Sequence, residues 1–310
     1  MKILVTGGAG FIGSHIVDRY VADGHKVTVL DNLSSGKKAN LHPKAKFVKA
    51  DIRSPKLNKL FKAGRFDVLN HHAAQMDVRR SVQDPEFDAS VNVHGFLNLL
   101  RLAKDFKVKK VIFAASGGTY YGECSRPAAE SCLPNPLSPY GVTKLAGEAY
   151  VKTFSSLYGF DFTVFRYGNV FGPRQDPHGE AGVVAIFTQR MLAGEPVFIF
   201  GNGKQRRDYV FVSDVAQANV LALRRGRHNV FNIGTQRATS VNELFAELKT
   251  LTGYPHKAIY KPARPGELFR SVLNVQHARK LLGWKPQFSL TEALQQTVDY
   301  FETAPRSAKK

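Results

Sequence analysis

The chain has 310 residues, of which 43% are hydrophobic, so it is long enough for one large α/β domain or two packed ones. No apolar run is long enough to cross a membrane, and the first residues lack the basic segment that opens a signal peptide. The net charge of +19 suits an anionic ligand, but the basic residues are scattered and no specific nucleic-acid-binding motif accompanies them. Cys124 and Cys132 form neither a metal-ligand nor a disulfide pattern, which predicts a cytoplasmic protein without a bound metal.

Strands and helices are predicted to alternate along the first 170 residues. Short apolar and β-branched runs predict strands at residues 1–6, 26–30, 45–48, 68–70, 110–115 and 162–166. Helical spacing of apolar residues predicts helices at 11–22, 96–106 and 140–157. This alternation predicts an α/β fold with a Rossmann-like, doubly wound parallel sheet that carries helices on both faces.

The turn after the first strand contains three glycines at G-x-x-G-x-x-G spacing, Gly7, Gly10 and Gly13. Glycine permits the positive φ of a tight turn and lets a pyrophosphate approach the backbone at the amino end of the next helix. Asp31 ends the second strand, where a carboxylate can bind the ribose hydroxyls of adenosine and repel the extra phosphate of NADP. The sequence therefore predicts an NAD-binding turn.

The pattern becomes less regular after about residue 172, where prolines and glycines predict a loop. Beyond it we predict helices at 186–193 and 241–252 and strands at 197–200 and 209–212. We expect an NAD-binding domain at residues 1–170, with returning segments near 208–237, and a smaller α/β substrate-binding domain at 171–300. Residues 301–310 form a tail that is expected to be disordered over 306–310.

A Tyr-x-x-x-Lys pattern opens the predicted helix at 140–157. Tyr140 and Lys144 are separated by about one helical turn and therefore lie on one face of the helix. Because an ammonium stabilises a nearby phenolate, we expect the pKa of Tyr140 to be lowered and the residue to act as a base. Downstream of a dinucleotide-binding turn, this pair predicts a catalytic site.

Together these motifs resemble the extended short-chain dehydrogenase/reductase family. The stretches 166–175, 206–210, 231–234 and 264–267 look like its sugar-nucleotide branch, the NAD-dependent epimerases and dehydratases, and the resemblance covers about residues 1–300. Residues 176–187 are similar in particular to bacterial and archaeal UDP-glucose 4-epimerases. The resemblance implies an isomerase that keeps NAD bound and interconverts UDP-glucose and UDP-galactose through a 4-keto intermediate.

The resemblance also implies which residues bind the two ligands. Besides Tyr140 and Lys144, the residues implied for NAD are Gly7, Gly10, Phe11, Ile12, Gly13, Asp31, Asn32, Asp51, Ile52, Ala73, Ala74, Gln75, Asn92 and Tyr167. Those implied for the UDP-sugar are Asn169, Phe198, Phe200, Arg207, Arg264, Glu267 and Ser271. Arginine suits a diphosphate because its planar guanidinium can bind two oxygens at once. Ser271 stands where related enzymes carry a bulky tyrosine, which implies that N-acetylated UDP-hexosamines are also accepted.

One position departs from the family pattern. The family usually has a serine or threonine that binds the sugar 4-oxygen, and alignment on Tyr121-Gly122 places Gly117 there. We expect Thr119 to supply this hydroxyl, with Ser116 as the second candidate. Sugar-nucleotide dehydratases carry an Asp-Glu pair where this chain has Gly118 and Thr119, which argues against dehydration.

Two other functions stay open at this point. A UDP-glucuronate 4-epimerase, or another sugar-nucleotide oxidoreductase, would share these motifs. A non-catalytic protein that binds NAD or polyanions would account for the charge and for Gly117, but it would not require Tyr140 and Lys144. The resemblance further implies a homodimer formed by the helices at 92–106 and 140–157.

Overall fold

The computed structural model describes residues 1–177, 182–264 and 266–303. In chain order, the first elements are β1 (Lys2–Thr6), α1 (Phe11–Ala22), β2 (Lys26–Asp31), β3 (Lys46–Lys49), α2 (Leu57–Gly64), β4 (Val68–His71), α3 (Val78–Gln83), α4 (Pro85–Ala89), α5 (Gly95–Asp105), β5 (Lys110–Ser116), α6 (Pro139–Tyr158) and β6 (Asp161–Tyr167). A π-helical turn, Ser90–His94, connects α4 to α5. The predicted strands and helices of this region are all present, whereas the short helices α2, α3 and α4 were not predicted.

The second half of the chain contains shorter elements. They are β7 (Asn169–Phe171), α7 (Val183–Leu192), β8 (Phe198–Phe200), β9 (Arg206–Arg207), β10 (Tyr209–Phe211), α8 (Val212–Ala222), β11 (Asn229–Ile233), β12 (Thr239–Ser240), α9 (Val241–Thr252), β13 (Ile259–Lys261), β14 (Arg270–Ser271) and α10 (Leu290–Thr303). The predicted strand at 209–212 is one residue too long, because Val212 begins α8. Asp214 in the first turn of α8 favours a helix start here, since a carboxylate interacts favourably with the helix amino end.

A central sheet of seven parallel strands has the order β3-β2-β1-β4-β5-β6-β11. One apolar cluster lies on the face covered by α1 and α8, and a second lies on the face covered by α2 and α5. Burial on both faces explains why the strands are almost continuously apolar. The predicted Rossmann-like, doubly wound fold is confirmed, and the carboxyl ends of its strands meet at one edge, where such folds bind ligands.

A smaller α/β part packs around a third apolar cluster. Its helices α7, α9 and α10 contact one another, and its strands form the small sheets β7-β10, β9-β12-β14 and β8-β13. The chain returns from this part to the central sheet, because β11 pairs with β6 in parallel.

Three sequence predictions fall partly or wholly on residues outside those described. They are the run 176–187 with its loop, the stretch 264–267 at Pro265, and the tail from residue 304 onward. Among the described helices, none is both long and apolar enough to cross a membrane.

Candidate active site

The predicted NAD-binding turn connects β1 to α1 at the carboxyl edge of the central sheet. Gly7 has a φ of +71°, and a Cβ atom there would lie 2.6 Å from the backbone nitrogen of Ala73. A Cβ atom on Gly13 would collide with the carbonyl oxygen of Gly7, which also accepts the backbone N–H of Gly10 at 3.0 Å. α1 begins after Gly10 with no side-chain cap and no acidic residue in its first turn. The turn therefore requires glycine and presents an uncapped helix amino end, which fits the pyrophosphate of NAD.

Asp31 is fixed by the backbone beside this turn. Its carboxylate accepts the N–H of Ala9 at 3.0 Å and the N–H of Leu33 at 2.8 Å. A Cβ atom on Gly36 would lie 2.9 Å from one carboxylate oxygen. Each oxygen keeps a further lone pair, so the carboxylate can still accept bonds from the hydroxyls of a ribose.

Asn32, Asp51 and Ile52 lie together beyond the ends of β2 and β3. The Asn32 side chain donates to the Asp51 carboxylate at 3.3 Å, and Arg53 binds the same carboxylate at 2.8 Å. The hydrogen bond from Arg53 is the main reason that the pKa of Asp51 is lowered to about 2. Ile52 is buried, and its side chain would block a Cβ atom on Gly95. Arg53 carries no motif of its own and therefore could not be predicted from the sequence.

Gln75 and Asn92 belong to a buried polar network that connects the end of β4 to α6. The side chain of Asn92 accepts the N–H of Gln75 and donates to its carbonyl oxygen, both at 2.9 Å. The Asp88 carboxylate accepts from the Gln75 side chain and from the Thr143 hydroxyl, both at 2.8 Å. Asn92 lies in the π-helical turn, a feature that often occurs at functional sites. Asp88 was missed because a buried carboxylate within a short helix gives no sequence signal.

The amino end of α6 is fixed by two serine hydroxyls. Ser138 accepts the N–H of Gly141 at 3.2 Å, and Pro139 follows it as the first helical residue. Ser81 on α3 accepts the backbone N–H of Tyr140 at 3.1 Å. These bonds place Tyr140 and Lys144 in the first turns of a well-capped helix.

The expected lowering of the Tyr140 pKa is wrong for the chain by itself. Burial raises the pKa of Tyr140, and the carboxylate of Asp88 adds to this effect. The Lys144 ammonium donates to the carbonyl oxygen of Ala114 in β5 at 2.9 Å and lies 5.7 Å from the centre of the Tyr140 ring. Burial also lowers the pKa of Lys144, to about 8.

The structure explains the glycine at position 117. A Cβ atom there would lie 2.7 Å from the side chain of Leu273 and 3.0 Å from the carbonyl oxygen of Tyr167. Ser116 is partly buried at the carboxyl end of β5, whereas the Thr119 hydroxyl is fully buried and has no hydrogen-bond partner in the described parts of the chain. Because a ligand cannot reach an atom that water cannot reach, this geometry favours Ser116 over Thr119.

Tyr167 ends β6 and contacts the segment after β4. Its hydroxyl accepts a hydrogen bond from Asn219 at 2.9 Å and lies 3.0 Å from Nε2 of His72. Burial lowers the pKa of His72 to about 3, so its ring is neutral and Nε2 can accept from the phenol. Ala73 and Ala74 follow His72 as partly buried residues at the same edge.

In the second half of the chain, three residues from separate segments lie close together: Arg207, Glu267 and Ser271. Arg207 lies 3.3 Å from the Glu267 carboxylate. Ser271 pairs in register with Arg207 through β14 and β9, and it is 8% exposed. The structure therefore groups three of the residues that were implied for the UDP-sugar.

The remaining implied residues form two contacts. The guanidinium of Arg264 lies 4.0 Å above the centre of the Phe200 ring, and Lys261 lies 4.0 Å above that of Phe198. Asn169 begins β7, and a Cβ atom on Gly118 would be 3.7 Å from its side-chain oxygen. Asn169 thus connects this group to the segment that follows β5.

Asp208 is a buried carboxylate that joins distant segments of this region. It accepts the N–H of Thr235 at 2.6 Å, the hydroxyl of the same residue at 2.8 Å, and the N–H groups of Gln236 and Leu273 at 3.1 Å. Burial raises the pKa of Asp208 despite these donors. Its neighbour Arg207 was singled out from the sequence, but Asp208 itself was missed because its partners are far away in the chain.

Comparisons with known proteins agree with this geometry. The family model described as NAD dependent epimerase/dehydratase family matches residues 3–234. A UDP-glucose 4-epimerase of Mycolicibacterium smegmatis is 47% identical over 97% of this chain and 98% of its own length. The crystal structure of UDP-glucose 4-epimerase from Thermotoga maritima with UDP-glucose is 50% identical, with a TM-score of 0.96 and coverage of 97% of this chain and 99% of that one. The Thermus thermophilus UDP-glucose 4-epimerase in complex with NAD is 42% identical, with a TM-score of 0.95 and coverage of 98% and 100%.

A parallel sheet with a glycine-rich turn and a Tyr-x-x-x-Lys helix at its carboxyl edge defines a dinucleotide-dependent enzyme of the short-chain dehydrogenase/reductase type. The chain belongs to the NAD-dependent epimerase/dehydratase family, and its cofactor is NAD.

Proposed function

We propose that the protein is a UDP-glucose 4-epimerase, an isomerase that interconverts UDP-glucose and UDP-galactose. The observation that carries this proposal is the position of Tyr140 and Lys144 in the first turns of α6, fixed by Ser81 and Ala114 at the edge of the sheet that holds the glycine-rich turn. The likeness to UDP-glucose 4-epimerases over almost the whole chain supports the choice of reaction.

The residues that would hold NAD lie mainly at or after the carboxyl ends of β1, β2, β3, β4 and β6. The pyrophosphate would lie at the turn Gly7–Gly13 with Phe11 and Ile12 at the helix amino end, and Asp31 and Asn32 would bind the adenosine ribose. Asp51 and Ile52 would contact the adenine. Ala73, Ala74, Gln75, Asn92 and Tyr167 would surround the nicotinamide half, together with Tyr140 and Lys144.

The UDP-sugar would be held mainly by charge and by aromatic contact. Arg207 and Arg264 would bind the diphosphate, because guanidinium groups bind phosphate oxygens in pairs. Glu267 would accept from the uridine ribose, Phe198 and Phe200 would line the uracil pocket, and Asn169 would donate to the diphosphate.

When bound, NAD supplies the acceptor and later the donor for the hydrogen on C4 of the sugar, and its positive ring favours the phenolate of Tyr140. Tyr140 accepts the proton of the sugar 4-hydroxyl and returns it to the 4-oxygen at the end of the cycle. Ser116 donates a hydrogen bond to the same oxygen. Arg207 and Arg264 keep the diphosphate bound while the sugar ring rotates to present its opposite face.

We further propose that Ser271 lets the pocket accept N-acetylated UDP-hexosamines. Ser271 is small, buried, and in register with Arg207, so it lies where a larger side chain would reduce the space near the ligand. Turnover of UDP-N-acetylglucosamine supports this proposal, and its absence beside good turnover of UDP-glucose contradicts it.

We also propose that the chain divides into an NAD-binding domain at residues 1–170, to which residues near 208–237 return, and a substrate-binding domain at 171–300. We further propose that the protein is a cytoplasmic homodimer. The outer face of α6 carries the exposed apolar residues Val142, Tyr150 and Leu157, which a second copy would cover in a bundle with α5. Sedimentation analysis tests the oligomeric state. Both cysteines are free, which suits a reducing compartment.

The experiment that tests the function is incubation of the purified protein with UDP-galactose, followed by identification of the products. We expect UDP-glucose at equilibrium without accumulation of NADH. Net reduction of NAD, or turnover of UDP-glucuronate alone, contradicts the assignment.

A further inference from the structure

A basic cavity lies at the edge of the central sheet opposite the NAD-binding turn. It has a volume of about 520 Å³ and lies between the amino ends of β1, β2 and β3 and the carboxyl end of α2. The four lysines of this amino-edge cavity are Lys2, Lys26, Lys44 and Lys46, and no described Asp or Glu is among its lining residues. The cavity is therefore separate from the proposed active site at the carboxyl edge.

Three of these lysines are neighbours on adjacent strands. Lys2 pairs in register with Lys26, and Thr28, two positions further along β2, pairs with Lys46. Side chains two positions apart on a strand share a face, so the lysines of β1, β2 and β3 project from the same face of the sheet. Lys2 and Lys26 are like charges at directly paired positions, and an anion bound between them would relieve their repulsion.

These lysines have no ion-pair partner in the described parts of the chain, although the carboxylate of Asp23 lies near His25 of the lining. None of their ammonium groups makes an ion pair or a hydrogen bond with any part of the chain that the structure describes. The adjacent carboxylate of Asp67 is already bound to the backbone N–H of Lys2 and to the ammonium of Lys109, both at 2.9 Å. A concave surface with one sign of charge concentrates ions of the opposite sign.

We propose that the amino-edge cavity binds a small anion that contains several linked phosphates. Its volume is in the range of sites for small molecules. Phe66 is buried and His25 is half-buried, so the lining presents no fully exposed ring on which nucleobases could stack. Lysines bind phosphate as flexible point charges, which suits a phosphate chain rather than single-stranded nucleic acid.

Calorimetric titration with inorganic tripolyphosphate tests this proposal. The protein is loaded with NAD and saturated with UDP, so that the nucleotide sites are filled, and the titration is run at low and at raised ionic strength. We expect binding of one tripolyphosphate per chain, with an affinity that falls as salt is added. The Lys26→Gln/Lys46→Gln variant should bind at least about tenfold more weakly, because it loses two charge-assisted contacts.

The matched control is Lys257→Gln/Lys285→Gln, which removes the same charge from exposed lysines that do not line the cavity. It should bind tripolyphosphate like the wild type. Both double variants should keep their NAD content, and neither should melt at a lower temperature than the wild type. Equal weakening in the control overturns the proposal, since general attraction would then explain binding. So does the absence of binding once UDP is present, or binding of a short single-stranded RNA but not of tripolyphosphate.

Discussion

At the NAD-binding turn the backbone determines the fit, whereas at the proposed UDP-sugar end the fit depends on side chains. Gly7 and Gly13 leave no space for a Cβ atom, and the Asp31 carboxylate is fixed by two backbone N–H groups. At the other end, Arg207 and Glu267 come from distant segments and meet through an ion pair. A site made by the backbone should fail completely when one atom is added, while a site made by side chains should weaken in steps.

The largest effect is expected at Tyr140, between the NAD-binding part and the UDP-sugar-binding part of the proposed site. Tyr140→Phe removes the only atom that exchanges the proton, so kcat should fall by at least about 10³-fold, within the range of general acid–base catalysis. Binding of NAD and of UDP, measured by calorimetry, should be unchanged because the ring itself is retained. Turnover close to the wild-type rate contradicts the assigned role of the phenol.

Gly13→Ala tests whether the backbone determines the fit at the NAD-binding turn. The new methyl group would meet the carbonyl oxygen of Gly7, so the turn cannot keep its shape. We expect the affinity for NAD to fall by at least about 100-fold, or about 2.7 kcal/mol. The control is Gly24→Ala, whose position is open although its φ is +78°, and whose cost should appear in thermal stability but not in NAD content. Normal NAD content in Gly13→Ala refutes the backbone explanation.

Arg207→Ala tests whether side chains determine the fit at the proposed UDP-sugar end. Loss of one charge-assisted contact should raise KM for the UDP-sugar by about 10- to 100-fold and leave the NAD content unchanged. Arg206→Ala is the matched control, because its side chain is more exposed and lies 3.5 Å from Glu243 instead. Equal effects of the two substitutions indicate a general loss of positive charge rather than a diphosphate contact.

The choice between two hydroxyls is tested by Ser116→Ala and Thr119→Val. The first should lower kcat by about tenfold, the value of one hydrogen bond in the transition state, while the second should change kcat little. The reverse result would restore Thr119 as the hydroxyl that binds the sugar 4-oxygen, with a shift of the loop after β5 on substrate binding.

A change in stability rather than in activity is expected at the contact between α8 and the segment before α10. Asp214 is buried, and burial raises its pKa to about 6, so its carboxyl group stabilises the fold below about pH 4 and this contribution is lost as the pH rises through 6. Between pH 4 and 7 the free energy of unfolding should fall by about 1–3 kcal/mol more in the wild type than in Asp214→Asn. Denaturant titrations of both proteins measure this difference, and parallel pH curves contradict it.

The same contrast explains what the sequence could predict. The bounds of α1 were predicted without error because apolar spacing and glycine chemistry are local, and for the same reason the sequence placed Asp31 at the end of β2 and Tyr140 and Lys144 at the start of a helix. The network of Asp88, Gln75, Asn92 and Thr143 could not be predicted in full, because its members lie on separate elements that only the fold brings together. Local chemistry also gave the wrong direction for the pKa of Tyr140, since burial is a property of the whole fold.

The contact between Gly117 and Leu273 has a consequence for how this chain can change over evolutionary time. The two positions share one small volume, so a serine at 117 requires the side chain at 273 to shift or to become smaller. Neither single step would be neutral, because one creates a steric clash and the other a void. The two residues should therefore show epistasis, and exchange of the segment after β5 between relatives should succeed best when the segment after β14, which carries Leu273, is exchanged with it.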